Sequence, residues 1–86
     1  MSKYRPLYSY LKLLSAQGMA SWNATFNQVE EVLGFKLPRS AEKFPAWWAN
    51  EEGNKNHVQC HAWLEAGWKS EDLNLTGHKI TFRKVT

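Results

Sequence analysis

Two adjacent tryptophans, Trp47 and Trp48, constrain the fold of this chain more than any other feature. Each indole can bury a very large apolar area. Neighbouring side chains of a regular element point in different directions, so both rings can enter one core only where the backbone is irregular. We therefore expect a strand-like or irregular segment here, with one indole facing outward.

The length and composition bound the class of protein. With 86 residues, the chain predicts one domain over positions 1–86, with a thin core filled by five Trp, four Phe and three Tyr. No run approaches the roughly 20 apolar residues of a membrane span, and no signal-peptide pattern is present. Cys60, the single cysteine, cannot form an internal disulfide, which small secreted domains usually need. We expect a soluble protein of the reducing cytoplasm.

The charge is modest, at a formal +3, but it is unevenly distributed. Basic residues without acidic neighbours occur near both termini, at Lys3, Arg5, Lys12, Lys79, Arg83 and Lys84. If the fold brings both ends onto one face, that face suits phosphates or acidic protein surfaces. The alternative is a normally solvated surface with a slight basic excess.

The first half of the chain predicts two helices and a short strand. Leu7, Leu11 and Leu14 recur at helical spacing after Pro6, and Gly18 ends that pattern. A brief strand is expected at 21–24. Thr25 and Gln28 form a capping-box pattern that opens a second helix, which ends at Gly34.

The second half predicts shorter elements. Ser40 is expected to cap a short helical turn that Pro45 interrupts. A further helix is expected over about 57–66. Alternating apolar residues on both sides of 76–78 predict a C-terminal hairpin, with Gly77 supplying a positive φ. Together these elements predict a small α+β domain, with three to four short helices packed on a short antiparallel sheet.

A succession of short motifs carries a family resemblance. They are Tyr4-x-Pro6-Leu7, Glu30-x-x-Leu33-Gly34-x-x-Leu37-Pro38-x-Ser40-Ala41, Trp47-Trp48-x-Asn50 and Ala62-Trp63-x-x-Ala66-Gly67-Trp68. In these motifs the chain resembles a small prokaryotic domain of unknown function, found in bacteria and their phages, over nearly its whole length. The resemblance implies a shared fold and an intracellular setting. It implies no activity, substrate or catalytic residue.

Catalytic and metal sites are poorly supported by the sequence. His57, His61 and Glu65 share one stripe of the predicted helix, but Val58 stands where a zinc peptidase has its glutamate base. Cys60 and His61 are adjacent, and adjacent helix residues do not meet. We therefore expect no enzyme, no metal and no cofactor, with His57 and His61 on a solvated or packing face.

The remaining candidate is a nucleic-acid site around the tryptophan pair. In this hypothesis Ser40 opens a helix that receives a phosphate, Trp48 stacks on an unpaired base, and Asn50 pairs with an adenine edge. The alternative is that both indoles fill the core and that Asn50 caps a turn. The full set of predicted binding residues is Arg5, Arg39, Ser40, Lys43, Trp48, Asn50, Lys55, Lys79, Arg83 and Lys84, with Lys3 as a further phosphate contact.

Two classes of partner therefore remain open. The first is nucleic acid, DNA rather than RNA, bound by a non-enzymatic accessory or regulatory module. The second is a protein, bound by an interaction module or inhibitor whose Trp47–Trp48 edge inserts into a groove, because Trp and Arg are common interface anchors. The sequence leaves the oligomeric state open.

Overall fold

A computed structural model describes residues 3–51 and 58–85 of the chain. Within those ranges the predicted α+β class is confirmed. The elements follow in the order α1 (Arg5–Ala16), β1 (Ser21–Thr25), α2 (Phe26–Leu33), α3 (Arg39–Lys43), a 3-10 helix (Pro45–Trp48), α4 (Cys60–Leu64), β2 (Trp68–Asn74) and β3 (Lys79–Lys84).

The sheet is antiparallel and three-stranded, in the order β1-β3-β2. The predicted C-terminal hairpin is confirmed, although β2 begins at Trp68 and has a register shift between Glu71 and Asn74. β1 supplies the third strand that a two-stranded hairpin needs for stability. Because strand side chains alternate, Ala24, Ile80 and Phe82 are buried on an inner face while the outer face is polar.

The hairpin turn differs from its prediction in one detail. The positive φ belongs to His78, at 54°, and not to Gly77. Gly77 is needed for a close approach instead, since a Cβ there would lie 2.8 Å from Nδ2 of Asn74. The Asn74 side chain reaches this position because its Oδ1 accepts a 2.8 Å hydrogen bond from the Gly77 N–H.

The two longer helices form as predicted. α1 buries Leu7, Leu11 and Leu14. α2 begins with the expected capping box, in which Thr25 Oγ1 accepts from the Gln28 N–H at 3.1 Å and the Thr25 N–H donates to Gln28 Oε1 at 2.9 Å. It ends at Gly34, whose φ of 85° is left-handed.

The middle of the chain departs from the prediction. Ser40 lies inside α3 and caps nothing, because the helix begins after Pro38 without a side-chain cap. Trp47 and Trp48 belong to the 3-10 helix, so the segment is helical and not strand-like or irregular as predicted. α4 is shorter than expected, at Cys60–Leu64, and His57 lies outside the described residues.

The core lies between the helices and the inner face of the sheet. Trp63 and Phe82 are fully buried at its centre, with ring centroids 5.3 Å apart. Of the helices in residues 3–51 and 58–85, none has the length and apolar character needed to cross a membrane.

Candidate functional site

Both indoles of the tryptophan pair are buried, which corrects the prediction of an outward ring. Trp48 is 2% exposed and Trp47 is 8% exposed. Trp47 packs edge-on against Tyr4, with centroids 5.9 Å apart, and Trp48 stacks on Phe26 at 4.9 Å. The tight 3-10 turn points the two side chains in different directions, and the fold supplies aromatic partners for both. Trp48 therefore offers no stacking platform to a ligand.

The polar atoms of this segment are also used inside the fold. Trp48 Nε1 donates to the Ala41 carbonyl at 2.7 Å. The residue that would normally serve this carbonyl in a helix is Pro45, which has no N–H. Gln59 Nε2 donates to the Trp47 carbonyl at 2.9 Å. The indole hydrogen bond thus satisfies a buried acceptor that the proline leaves open.

The side-chain amide of Asn50, predicted to pair with adenine, is hydrogen-bonded within the protein. Its Oδ1 accepts from Trp63 Nε1 at 2.8 Å and from the Ser70 N–H at 2.9 Å, while the single Ser70 hydroxyl proton is donated to the Trp48 carbonyl. Its Nδ2 donates to the Ser70 carbonyl at 2.9 Å. A bidentate contact with adenine needs both atoms of the amide. The acceptor atom already takes two N–H donors, so Asn50 serves the fold.

The N-terminus of α3 also lacks the features that the predicted phosphate site at Ser40 requires. Ser40 is the second residue of a five-residue helix, and the preceding Pro38 accepts from the Ala41 N–H at 3.0 Å. One helical turn provides neither the side-chain cap nor the aligned dipoles expected of an anion site.

An exposed aromatic ring does occur beside this segment, but it belongs to Phe44. Phe44 is 59% exposed and connects α3 to the 3-10 helix. Sequence reasoning overlooked it. The available signal was the following Pro45, since a residue before proline is pushed out of the helical conformation. Phe44 has a φ of −123° and a ψ of 120°, so its side chain leaves the helix direction.

Two predicted cations lie on α3, the helix that precedes this ring. Arg39 and Lys43 are exposed at the two ends of α3, and Ala41 between them is fully buried. At about 100° per residue, positions two before and two after Ala41 both point away from the core. Phe44 follows Lys43 directly. We call Arg39, Lys43 and Phe44 the α3 corner.

The other predicted cations do not join this corner. Lys79 and Arg83 alternate with the buried Ile80 and Phe82, so they lie on the outer face of the sheet, where Arg83 pairs with Glu71. The α3 corner lies on the other side of the sheet, because Trp48 packs between Ala41 and Phe82.

The remaining basic candidates lie on other segments of the chain. Arg5 begins α1, with its guanidinium carbon 6.0 Å from the Tyr8 ring centre. Lys3 lies over the Phe35 ring at 5.0 Å. Lys84 is half-buried at the end of β3, and its N–H donates to the Ala20 carbonyl. Lys55 lies outside the described residues.

The histidine stripe can be followed only in part. His61 Nδ1 lies 3.8 Å from Glu65 Oε2, one helical turn away. His57 falls outside the described residues, and within the described ranges no three metal-binding side chains cluster. Cys60 is fully buried, as expected of a small hydrophobe.

Comparison with known proteins assigns a family without assigning an activity. The model of a domain of unknown function, DUF7662, matches residues 4–85, and the chain belongs to that family. No curated protein matches the chain, and no solved structure does. The tryptophans of the resemblance motifs, Trp47, Trp48, Trp63 and Trp68, are all buried. In this member, these motif residues build the core.

Proposed function

We propose that this member of the DUF7662 family is a non-enzymatic, cytoplasmic module that binds nucleic acid at the α3 corner. The observation that carries the proposal is the exposed ring of Phe44 beside two outward cations, Arg39 and Lys43. Proteins that bind single strands combine cations for the phosphates with aromatic rings on which bases stack. The buried free thiol of Cys60 supports the reducing cytoplasm as the setting.

The chemistry of the corner favours an unpaired base over a duplex. A phenyl ring carries no hydrogen-bonding group, so it can stack on a base but cannot read a base edge. We therefore expect weak sequence preference and strong dependence on salt. We propose DNA rather than RNA as the ligand. Comparing the affinities of DNA and RNA oligonucleotides of the same sequence tests this choice.

The test is fluorescence anisotropy of labelled single strands and duplexes over a salt series. Phe44→Ala should weaken single-strand binding about five- to 150-fold, because stacking contributes about 1–3 kcal/mol per base. Phe44→Trp should retain binding. Leu13→Ala is the matched control, since Leu13 is also a half-exposed apolar side chain, on α1.

Charge is tested with two double variants that remove the same net charge. Arg39→Gln with Lys43→Gln should reduce the slope of log affinity against log salt by about 1.4, at about 0.7 per single-strand phosphate contact. Lys69→Gln with Lys79→Gln, on the open face of the sheet, should leave the slope unchanged. If both double variants reduce the salt slope equally, or if the wild type binds no oligonucleotide at low salt, the α3 corner is not a nucleic-acid site.

The exposure of Phe44 also favours a second function, a protein-binding module. This replaces the Trp47–Trp48 anchor predicted from sequence, because Phe is enriched at interfaces and Phe44 is the accessible ring. A groove shaped for phenylalanine rejects the larger indole, whereas an open base face accepts it. The protein-binding function would be supported if Phe44→Ala and Phe44→Trp both abolish binding to a purified protein partner and the wild type binds no oligonucleotide.

A further inference from the structure

The two edges of the sheet are protected differently. At the β2 edge, the Asn50 side chain bonds both the N–H and the carbonyl of Ser70, at 2.9 Å each. The register shift between Glu71 and Asn74, with Asp72 at a φ of 51°, further distorts this edge. Side-chain cover and bulges are devices that prevent another strand from adding to a sheet. The β2 edge is therefore closed to pairing.

The β1 edge has no bulge, and side-chain cover reaches only its last residue, Thr25. Its sequence, Ser21-Trp22-Asn23-Ala24-Thr25, contains no charged residue and no proline, and its register with β3 is unbroken. Natural edge strands usually carry a charge, a proline or a bulge, because an unprotected edge is a template for pairing.

The backbone groups available on β1 follow from the ladder. The Lys84 N–H donates to the Ala20 carbonyl and the Phe26 N–H donates to the His78 carbonyl, both at 2.8 Å. Since bonded pairs alternate in an antiparallel ladder, Trp22 and Ala24 bond toward β3. Ser21 and Asn23 then direct their N–H and carbonyl groups outward. Thr25 would do the same, but as the N-cap of α2 its carbonyl accepts the first hydrogen bond of that helix.

Two of these outward donors are unpaired. The Thr25 N–H is taken by Gln28 Oε1, at 2.9 Å. The N–H groups of Ser21 and Asn23 have no partner among the residues that the structure describes. A further strand can add to a sheet edge where alternate residues have unpaired backbone N–H groups, because these groups can bond to its carbonyls.

We propose that the β1 edge pairs with β1 of a second copy of this chain, antiparallel and centred on Asn23. In that register Asn23 faces Asn23 of the second copy and exchanges two backbone hydrogen bonds with it. Ser21 faces Thr25 of the second copy, whose carbonyl already accepts the first hydrogen bond of α2 and can take the Ser21 N–H only as a second donor. The Asn23 N–H groups of both copies are thereby satisfied, so the register is centred on this pair. The occupied Thr25 N–H is not required.

The side chains fit this register as well. Trp22 faces Ala24 of the second copy on the inner side, so apolar residues meet apolar residues, and the polar residues meet on the outer side. Trp22 is half-buried against Tyr10, with ring centroids 4.8 Å apart. The groove beside it, of about 310 Å³, is also lined by Val32 and by the polar side chains of Gln28 and Glu31. A strand without charge pairs with itself free of like-charge repulsion, which favours a second copy over a charged partner. The product is a continuous six-stranded sheet.

Sedimentation velocity over a concentration series tests the proposal directly. The wild-type chain should show a concentration-dependent dimer. Asn23→Lys and Asn23→Asp should each be monomeric, because like charges would face each other across the two-fold axis. Mixing these two variants should restore a dimer containing one of each. Asn23→Ala keeps the backbone N–H and should remain dimeric, although it loses the 2.8 Å bond from Thr81 Oγ1.

A backbone variant provides the second arm. Compared with Asn23→Ala, which already lacks the side-chain amide, Asn23→Pro further removes the outward N–H. Asn23 makes no ladder bond to β3, and proline is tolerated on edge strands in that position. The dimer Kd should rise roughly ten- to a hundred-fold, with circular dichroism unchanged. A wild-type chain that stays monomeric up to about 1 mM, or Asn23→Lys and Asn23→Asp dimers as tight as the wild type, would overturn the proposal. These outcomes do not depend on nucleic-acid binding.

Discussion

The side-chain amide of Asn50 bonds to the backbone of Ser70 as a neighbouring strand would, accepting from its N–H and donating to its carbonyl, each at 2.9 Å. The same Oδ1 accepts the indole N–H of the fully buried Trp63. One amide thus closes a sheet edge and satisfies a donor of the core.

Asn50→Ala should lower the free energy of unfolding by about 2–3 kcal/mol. The substitution leaves the buried Trp63 N–H without an acceptor, and an unsatisfied buried donor costs about 1–3 kcal/mol by itself. Urea unfolding followed by tryptophan fluorescence measures the loss. Asn27→Ala, at an exposed position of α2, is the matched control and should change stability by less than about 0.5 kcal/mol. Equal midpoints for the two variants would contradict the structural role of Asn50.

Trp48→Phe should destabilise the protein more than Trp47→Phe, by about 1–2 kcal/mol. Both changes shrink a buried aromatic ring, but only the first breaks an indole hydrogen bond that the structure describes, the 2.7 Å bond to Ala41. Pro45 cannot supply the missing donor, so the Ala41 carbonyl becomes an unsatisfied acceptor. Chemical denaturation of the two single variants gives the difference. A larger loss for Trp47→Phe would show that ring packing outweighs the hydrogen bond.

Thr25→Ala should cost about 1 kcal/mol of stability, because it removes the hydroxyl that accepts the Gln28 N–H in the capping box of α2. Thr25→Ser keeps the hydroxyl and should recover most of that loss. Thermal unfolding by circular dichroism compares the two. If the serine variant is as unstable as the alanine variant, the strand position of Thr25 matters more than its cap.

Stability should fall above about pH 10, in part through Tyr4. Burial raises the pKa of the Tyr4 phenol above its ordinary value, so the folded state keeps this proton when the unfolded state has released it. The unfolded state then binds fewer protons, and the free energy of unfolding decreases as pH rises. Urea midpoints between about pH 8 and pH 11 should decline less steeply for Tyr4→Phe than for the wild type. Identical slopes would rule out this contribution.

Local patterns in the sequence identified the elements whose stability is local. The leucine spacing of α1, the Thr25–Gln28 capping box and the alternation in β3 each gave a correct element, because helix periodicity, capping and strand alternation depend on residues close along the chain. The 57–66 helix was predicted too long, and the positive φ of the hairpin turn fell on His78 rather than Gly77.

The predicted binding site depended on contacts that no local pattern contains. The exposure of Trp48 is decided by Phe26, Trp63 and Phe82, which come from a helix, another helix and a strand. Asn50 was chosen as a base reader for its amide, yet its partner Ser70 lies 20 positions away. Only Arg39 and Lys43 of the α3 segment remain exposed as expected, and the ring beside them is Phe44.

By itself, the sequence determined the fold class and the amphipathic helices and strands, because propensity, capping and side-chain periodicity act over a few residues. Tertiary structure alone decided which aromatic ring reaches solvent, which cations share a face and which edge of the sheet is closed. Those properties depend on packing between distant segments, and burial is settled only when the segments meet.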